Sequence, residues 1–138
     1  MVRPASRSEI GRWAMSLPQS IIIGTLLAGD RLSCCDEGVV WDEDGKIIGA
    51  ATIAPNGEMM SGEPTIVALY VISSRRREGI GCELMKAAID RCVERGFGRV
   101  RVDVLSTGAR KTIAKLSAEQ RALLRVVDMG SILDLFPG

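Results

Sequence analysis

Residues 65–95 constrain the fold more than any other part of the chain. They open with the almost wholly apolar run 65–72, which is typical of a strand at the centre of a sheet. A turn with three arginines and two glycines follows, and apolar residues then recur four residues apart, as on one face of a helix. The segment therefore predicts a central strand, a turn, and a long helix over residues 79–95 that ends before Gly96.

The flanking residues predict antiparallel strands in succession and further helices. Asp44-Gly45 between two β-prone runs is a strong hairpin signal, and Ser6 with Glu9 has the spacing of a capping box that begins a helix. The predicted strands cover residues 38–41, 46–54, 65–72 and 99–105, with a short last strand at 131–136; the predicted helices cover residues 6–16, 18–28, 79–95, 109–116 and 117–129. Because there is no internal repeat and no linker, we expect residues 1–138 to form a single domain.

Charge and cysteine content disfavour several classes of function. Lys and Arg number 18 against 17 Asp and Glu, a formal net charge of +1, whereas a bulk nucleic-acid binder needs many clustered cations. The chain has no His and its four cysteines form no Cys-x-x-Cys pair, so we expect no metal site and reduced thiols. The apolar run 21–28 is too short to span a bilayer, and residues 1–5 do not resemble a signal peptide. We therefore expect a cytoplasmic protein without membrane contact.

The start of the long helix predicts an anion site. The first N–H groups of a helix lack internal partners, and the helix dipole places positive potential there. Gly79 and Gly81 leave room for a ligand beside the main chain, and arginine donates paired hydrogen bonds to phosphate. The pattern alone fits a solvent-exposed turn as well. It is not a Walker loop, and no βαβ unit of a dinucleotide fold surrounds it.

The motif Arg76-x-x-Gly79-x-Gly81, after a strand ending in Leu69-Tyr70-Val71, resembles the Arg/Gln-x-x-Gly-x-Gly/Ala signature of the GNAT superfamily of N-acetyltransferases. The order of elements over residues 1–107 is similar too, beginning with a first strand at residues 2–6. The resemblance implies an α/β fold of the α+β type, the GNAT fold, with a central mixed, mostly antiparallel sheet flanked by helices. An atypical helical C-terminus, residues 117–129, stands in place of the family's usual last hairpin.

The resemblance implies acetyl-coenzyme A as the acyl donor and assigns residues to it. Main-chain groups of Leu69 and Val71 would pair with the pantetheine arm as though it were an added strand. The Val71 N–H would act as oxyanion donor to a thioester lying near Tyr70, where the fourth and fifth strands separate. The pyrophosphate would be held by the side chain of Arg76 and by the amides of Arg77, Glu78, Gly79, Ile80, Gly81 and Cys82.

Acetyl transfer also needs a base or a water chain, because an amine is mostly protonated at neutral pH. The family's base position on the fourth strand corresponds to Thr65, so the candidate catalytic residues are the nearby carboxylates Glu63 and Asp103. A solvent-exposed loop residue is the alternative interpretation of Glu63. A structural acid paired with Arg99 or Arg101 is the alternative for Asp103.

The family's general-acid tyrosine is absent from its usual place. That position falls on Ile113 or Lys115 here, and the only tyrosine of the chain is Tyr70. Because a thiolate is a good leaving group that water can protonate, loss of this acid need not abolish activity.

The sequence therefore predicts an acetyl-CoA-dependent N-acetyltransferase that transfers the acetyl group directly to a primary amine of a small molecule or peptide in a ternary complex. Two alternatives stay open: a non-catalytic acetyl-CoA-binding module, and a toxin-like acetyltransferase that contacts aminoacyl-tRNA through residues 75–77. We also predict a homodimer, in which the apolar residues after 117 cover the open edge of the fifth strand.

Overall fold

The computed structural model describes residues 1–18, 35–56, 62–104 and 107–128. In these residues a six-stranded sheet is flanked by helices, and a 3-10 turn at Ser73–Arg75 precedes the longest helix. The strands are β1 (Val2–Ser6), β2 (Glu37–Glu43), β3 (Lys46–Ala54), β4 (Thr65–Val71), β5 (Val100–Val104) and β6 (Leu124–Asp128). The helices are α1 (Arg7–Met15), α2 (Ile80–Glu94), α3 (Thr107–Ala114) and α4 (Ala118–Leu123).

The sheet has the strand order β1-β2-β3-β4-β5-β6. Neighbouring strands from β1 to β4 are antiparallel, whereas β4 with β5 and β5 with β6 are parallel. This is the mixed, mostly antiparallel sheet that the sequence predicted. The long α2 supplies the crossover that a parallel β4–β5 connection requires.

Two local signals in the sequence are confirmed at atomic detail. In the β2–β3 turn Asp44 and Gly45 have φ of 52° and 85°, as a two-residue hairpin turn requires, and the Gly45 N–H donates to Asp42 Oδ1 at 2.8 Å. At the start of α1 the Ser6 hydroxyl accepts from the Glu9 N–H at 3.2 Å. Ile10 and Ala14 are the buried residues of that helix.

Helix α2 packs its apolar stripe on the sheet and forms the main core. It ends in a Schellman motif at Gly96, whose φ is 88°: the Phe97 N–H bonds the Cys92 carbonyl and the Gly96 N–H bonds the Val93 carbonyl. Its six buried residues are Ile80, Leu84, Met85, Ala88, Ile89 and Cys92. Because the helix is held against the sheet along its length, the position of its N-terminus is fixed by the core.

The predicted helix 117–129 begins correctly but is wrong from Leu124 onward. The Ser117 hydroxyl caps α4 by accepting from the Gln120 N–H at 3.1 Å, yet the helix stops at Leu123. The next five residues form β6, which pairs with all five residues of β5. Strand pairing and burial of Leu124 outweigh the weak helical periodicity of this stretch, in which two adjacent valines favour a strand.

Because β6 lies against β5, the prediction that the β5 edge is open is also wrong. The predicted helix 109–116 is present as α3, while the predicted elements at 18–28 and 131–136 fall almost wholly outside the described residues. No helix in the described ranges is long and apolar enough to cross a membrane.

Candidate functional site

A gap opens between β4 and β5. The two strands pair only at Thr65 with Arg101 and at Ile66 with Val102 within the described backbone, although both continue beyond that point. On the other side of β4 the register with β3 shifts between Thr52 and Ile53, which makes Val67 an extra, bulged residue. The bulge therefore lies where β4 separates from β5, three residues before Tyr70, the start of the region named from the sequence. No sequence signal marked it.

Main-chain groups of β4 face this gap. The N–H of Ile72 donates to the Ile48 carbonyl at 3.0 Å and so points toward β3. Because the edge to which a residue's N–H and C=O point alternates along a strand, the main-chain groups of Leu69 and Val71 point the other way, into the gap. The sequence-predicted pair Leu69 and Val71 therefore has the orientation that an added strand would need.

The N-terminus of α2 lies beside the same stretch of β4. Gly79 precedes the helix with φ 84° and ψ 4°, and no side chain caps it. The first hydrogen bond at this end joins the Glu83 N–H to the Gly79 carbonyl, so the amides before residue 83 precede the helical ladder. A Cβ on Gly81 would lie 3.8 Å from Val71 Cγ2 and 4.0 Å from Leu69 Cδ2. Amides without a hydrogen-bond partner among the described residues thus adjoin the gap-facing residues, at the positive end of the helix dipole.

The three consecutive arginines have different surroundings. Arg75 makes paired hydrogen bonds to the Glu43 carboxylate at 2.6 and 2.7 Å and a further one to Glu78 at 2.9 Å. The hydrogen bonds from Arg75 lower the pKa of Glu43 to about 2, and a smaller contribution comes from the hydrogen bond that the Trp41 indole donates to the same carboxylate. Arg75 therefore anchors the turn to the β2–β3 hairpin, a role that the sequence did not indicate. The side chain of Arg77, a residue with φ of 69°, is exposed.

Arg76 contacts β4 directly. Its Nε donates to the Val71 carbonyl at 2.9 Å, and its guanidinium carbon lies 5.2 Å from the centroid of the Tyr70 ring. The side chain is exposed, and its two Nη groups form no hydrogen bond or ion pair within the described part of the chain. Its charge is thereby held at the mouth of the gap, next to the start of α2.

Tyr70 carries the buried polar atom of this region. The residue is 4% exposed, and its hydroxyl has no hydrogen-bond partner among the described residues. A buried hydroxyl without a partner costs about 1–3 kcal/mol. Its ring packs against Trp13 of α1 with centroids 6.0 Å apart, whereas Leu69 and Val71 pack against the α2 side of the sheet.

The two candidate bases differ in position. Glu63 precedes β4, at the end where β4 and β5 are still paired, and its carboxylate forms an ion pair with Arg125 of β6 at 3.0 Å. Asp103 pairs in register with Val127 of β6 and is the first β5 residue beyond the last pair with β4. The backbone therefore places Asp103, and not Glu63, at the opening of the gap.

Neither position that corresponds to the family's general-acid tyrosine, Ile113 or Lys115, holds a tyrosine. Ile113 packs against the main core, and Lys115 is exposed just beyond the helix. The thiols also differ: Cys82, in the first turn of α2, is half-buried, while burial raises the pKa of Cys92 to about 11. Over the described ranges no three His, Cys, Asp or Glu side chains come close enough to hold a metal ion.

The model of the acetyltransferase (GNAT) family matches residues 12–116. No curated protein gives a significant match to the sequence.

Solved structures with the same fold include three acetyltransferases. A predicted acetyltransferase with acetyl-CoA from Clostridium acetobutylicum is 18% identical, with TM-score 0.58 over 83% of this chain and 86% of that one. A ribosomal-protein-alanine N-acetyltransferase from Brucella melitensis biovar Abortus 2308 is 17% identical, with TM-score 0.60 over 86% and 90%. An aminoglycoside acetyltransferase from an uncultured soil metagenomic sample, in complex with sisomicin, is 21% identical, with TM-score 0.52 over 81% and 86%.

The family match covers about three quarters of the chain, and the gap beside an uncapped helix N-terminus fits acetyl-CoA as acyl donor. The chain belongs to the GNAT family of acetyltransferases.

Proposed function

We propose that this enzyme transfers the acetyl group of acetyl-CoA directly to a primary amine of a small molecule or peptide, within a ternary complex. One observation carries the proposal: the free amides at the start of α2 adjoin the stretch of β4 that has separated from β5. An anion site and an unpaired strand edge lie side by side there. A ligand with a pyrophosphate at one end and an amide-containing arm at the other can use both.

The donor-binding residues have the roles that the family resemblance implies. Leu69 and Val71 offer main-chain groups to the arm, and the amides of residues 77–82 with the side chain of Arg76 bind the pyrophosphate. The Val71 N–H is the proposed oxyanion donor. The hydrogen bond from Arg76 to the Val71 carbonyl supports a shared role, because one side chain then contacts both parts of the donor site.

For the base we favour Asp103 over Glu63. Asp103 stands at the opening of the gap, whereas Glu63 is ion-paired with Arg125 at the closed end. Replacing Asp103 with Asn should lower kcat/KM by about a hundredfold or more if Asp103 takes the amine proton. Replacing Glu63 with Gln is the matched control and should lower kcat/KM by less than fivefold.

A steady-state assay of coenzyme A thiol release tests the proposed function. Amino-acid amides, peptides, polyamines and aminoglycosides serve as acceptors. We expect thiol release that depends on the amine, with intersecting double-reciprocal lines because both substrates are bound before transfer. Parallel lines would indicate a covalent intermediate. Binding of acetyl-CoA without turnover for any amine would favour the non-catalytic module.

The proposed location is the cytoplasm, and the proposed assembly is a homodimer. An open β5 edge does not support the dimer, because β6 covers that edge. What remains is β6 itself, a strand with no further neighbour in the described sheet, on which Val126 is 48% exposed. Light scattering at micromolar concentration should give twice the monomer mass, and a monomer mass would remove this support.

A further inference from the structure

The Tyr70 hydroxyl is a buried polar group that the donor site does not use. It is the one buried side-chain nitrogen or oxygen without a hydrogen-bond partner in the part of the chain that the structure describes. Folded proteins rarely leave such groups unpaired, and an exception calls for a specific explanation, such as a ligand. The donor-binding groups proposed above are main-chain amides, main-chain groups of β4 and Arg76, so this hydroxyl has no role among them.

The ring that carries this hydroxyl is held in one place. Trp13 contacts it at 6.0 Å between centroids with a 47° tilt, and the Arg76 guanidinium lies 5.2 Å from its centroid. Ile72 and Leu17 also pack against the cluster that Tyr70 forms with Ala14. A side chain fixed by packing holds its polar group in a defined position before a ligand arrives, as specific binding requires.

Tyr70 projects from the opposite face of β4 to the donor site. Leu69 and Val71 pack on the α2 side, where Gly81 and the helix N-terminus lie. The Tyr70 ring packs on the α1 side. A substrate in the gap on the side opposite the pyrophosphate would therefore lie on the face of β4 from which Tyr70 projects.

We propose that Tyr70 binds the acceptor: its hydroxyl hydrogen-bonds a neutral polar group of the acceptor, such as an amide or hydroxyl. The assignment rests on the proposed function, because it needs an amine acceptor to be present.

The test replaces Tyr70 with Phe, which removes the hydroxyl and keeps the ring contacts. Without acceptor, the Y70F protein should melt at the same or a higher temperature, because an unpaired buried hydroxyl is removed. Its dissociation constant for coenzyme A should stay within twofold of the wild type. Its kcat/KM for an amino-acid amide should fall about ten- to hundredfold, chiefly through a higher KM for that amine. Ile72→Val, in the same cluster without a polar group, is the control and should change kcat/KM less than twofold.

The outcomes are distinct. A melting temperature lowered by several degrees in Y70F would show that the hydroxyl has a structural partner and would overturn the proposal. So would unchanged acceptor kinetics in Y70F. If the wild type binds acetyl-CoA but acetylates no amine at all, the proposed function fails and this assignment falls with it.

Discussion

The guanidinium of Arg75 links two distant parts of the chain by donating hydrogen bonds to both carboxylate oxygens of Glu43, at 2.6 and 2.7 Å. Glu43 is the last residue of β2, and Arg75 ends the turn that follows β4. The Nε of Arg75 also donates a hydrogen bond to Glu78 at 2.9 Å. The loop that carries the amides proposed to bind the donor is thereby tied to the β2–β3 hairpin, and we therefore propose Arg75 and Glu43 as positioning residues.

Glu43→Gln should weaken coenzyme A binding and change the pH dependence of stability. The pKa of Glu43 is about 2 in the folded protein against an ordinary 4.5. A lowered pKa means that the ion pair stabilises the fold fully above about pH 4.5 and loses this effect as the pH falls toward 2. In urea unfolding between pH 6 and pH 3, the wild type should therefore lose more stability than Glu43→Gln does.

An exchange of the two charges provides the control for this pair. The double variant Glu43→Arg with Arg75→Glu should recover part of the coenzyme A affinity that each single variant loses, because the ion pair can form again. If the double variant binds no better than the worse single variant, the pair does not position the loop.

Gly79 and Gly81 should respond differently to alanine. Gly79→Ala places an L-residue at φ 84° and should cost about 1–2 kcal/mol of stability. Gly81 lies inside α2, where a Cβ meets only ordinary contacts at 3.8 and 4.0 Å. Gly81→Ala should therefore keep the stability or raise it by up to about 1 kcal/mol. Thermal unfolding of the two variants decides, and equal losses would contradict the assigned backbone geometry.

Arg76→Ala should weaken coenzyme A binding by roughly 1.5–3 kcal/mol, the scale of a charge-assisted hydrogen bond, or about ten- to hundredfold in dissociation constant. The structure adds a reason, since Arg76 is held at the gap by the Val71 carbonyl. Arg77→Ala, at the neighbouring exposed arginine, should have a smaller effect. Calorimetry with coenzyme A measures both, and an unchanged constant for Arg76→Ala would remove it from the donor site.

The elements predicted well from sequence are those with strong local signals. Ser6 and Glu9 specify the start of α1, Asp44-Gly45 specifies the β2–β3 turn, and Gly96 specifies the end of α2. Each depends on the conformational preference or hydrogen bonding of a few adjacent residues. The start of α2 was predictable for the same reason, and the anion site proposed there stays a prediction.

The features that sequence missed depend on contacts between distant residues. Leu124–Asp128 forms a strand because β5 lies beside it, and local periodicity alone favoured a helix. The bulge at Val67 depends on the register between β4 and β3. The ion pair between Arg75 and Glu43 forms only because the tertiary fold brings these two residues together. Asp103 and Glu63 looked equivalent in sequence, and strand pairing alone separates their positions.

Cys82 should react with a thiol reagent faster than Cys92. Cys92 is fully buried and its pKa is raised to about 11, so little thiolate forms at neutral pH. Cys82 is half-buried in the first turn of α2, and bound coenzyme A should slow its modification. Alkylation followed by peptide mass spectrometry measures both rates. Cys82→Ala should retain turnover, and loss of turnover with intact coenzyme A binding would indicate a covalent mechanism.

A chain that ends at Leu123 should be less stable and more prone to aggregate than the full chain. The truncation removes β6, uncovers the β5 edge and takes the buried Leu124 out of the core. A chain that ends at Asp128 keeps β6 and is the control. If the shorter chain melts at the same temperature as the control and stays in solution, β6 does not stabilise the sheet.

We propose that acetyl-CoA binds across the start of α2 and the open edge of β4. Amide-resolved NMR of the 14.8 kDa protein during titration with coenzyme A tests it most directly. We predict that the largest shift changes fall on the amides of residues 77–82 and of Leu69 and Val71, with small changes on β1 and β2. Saturable binding whose largest shift changes lie elsewhere, or no shift change at millimolar coenzyme A, would exclude this binding mode.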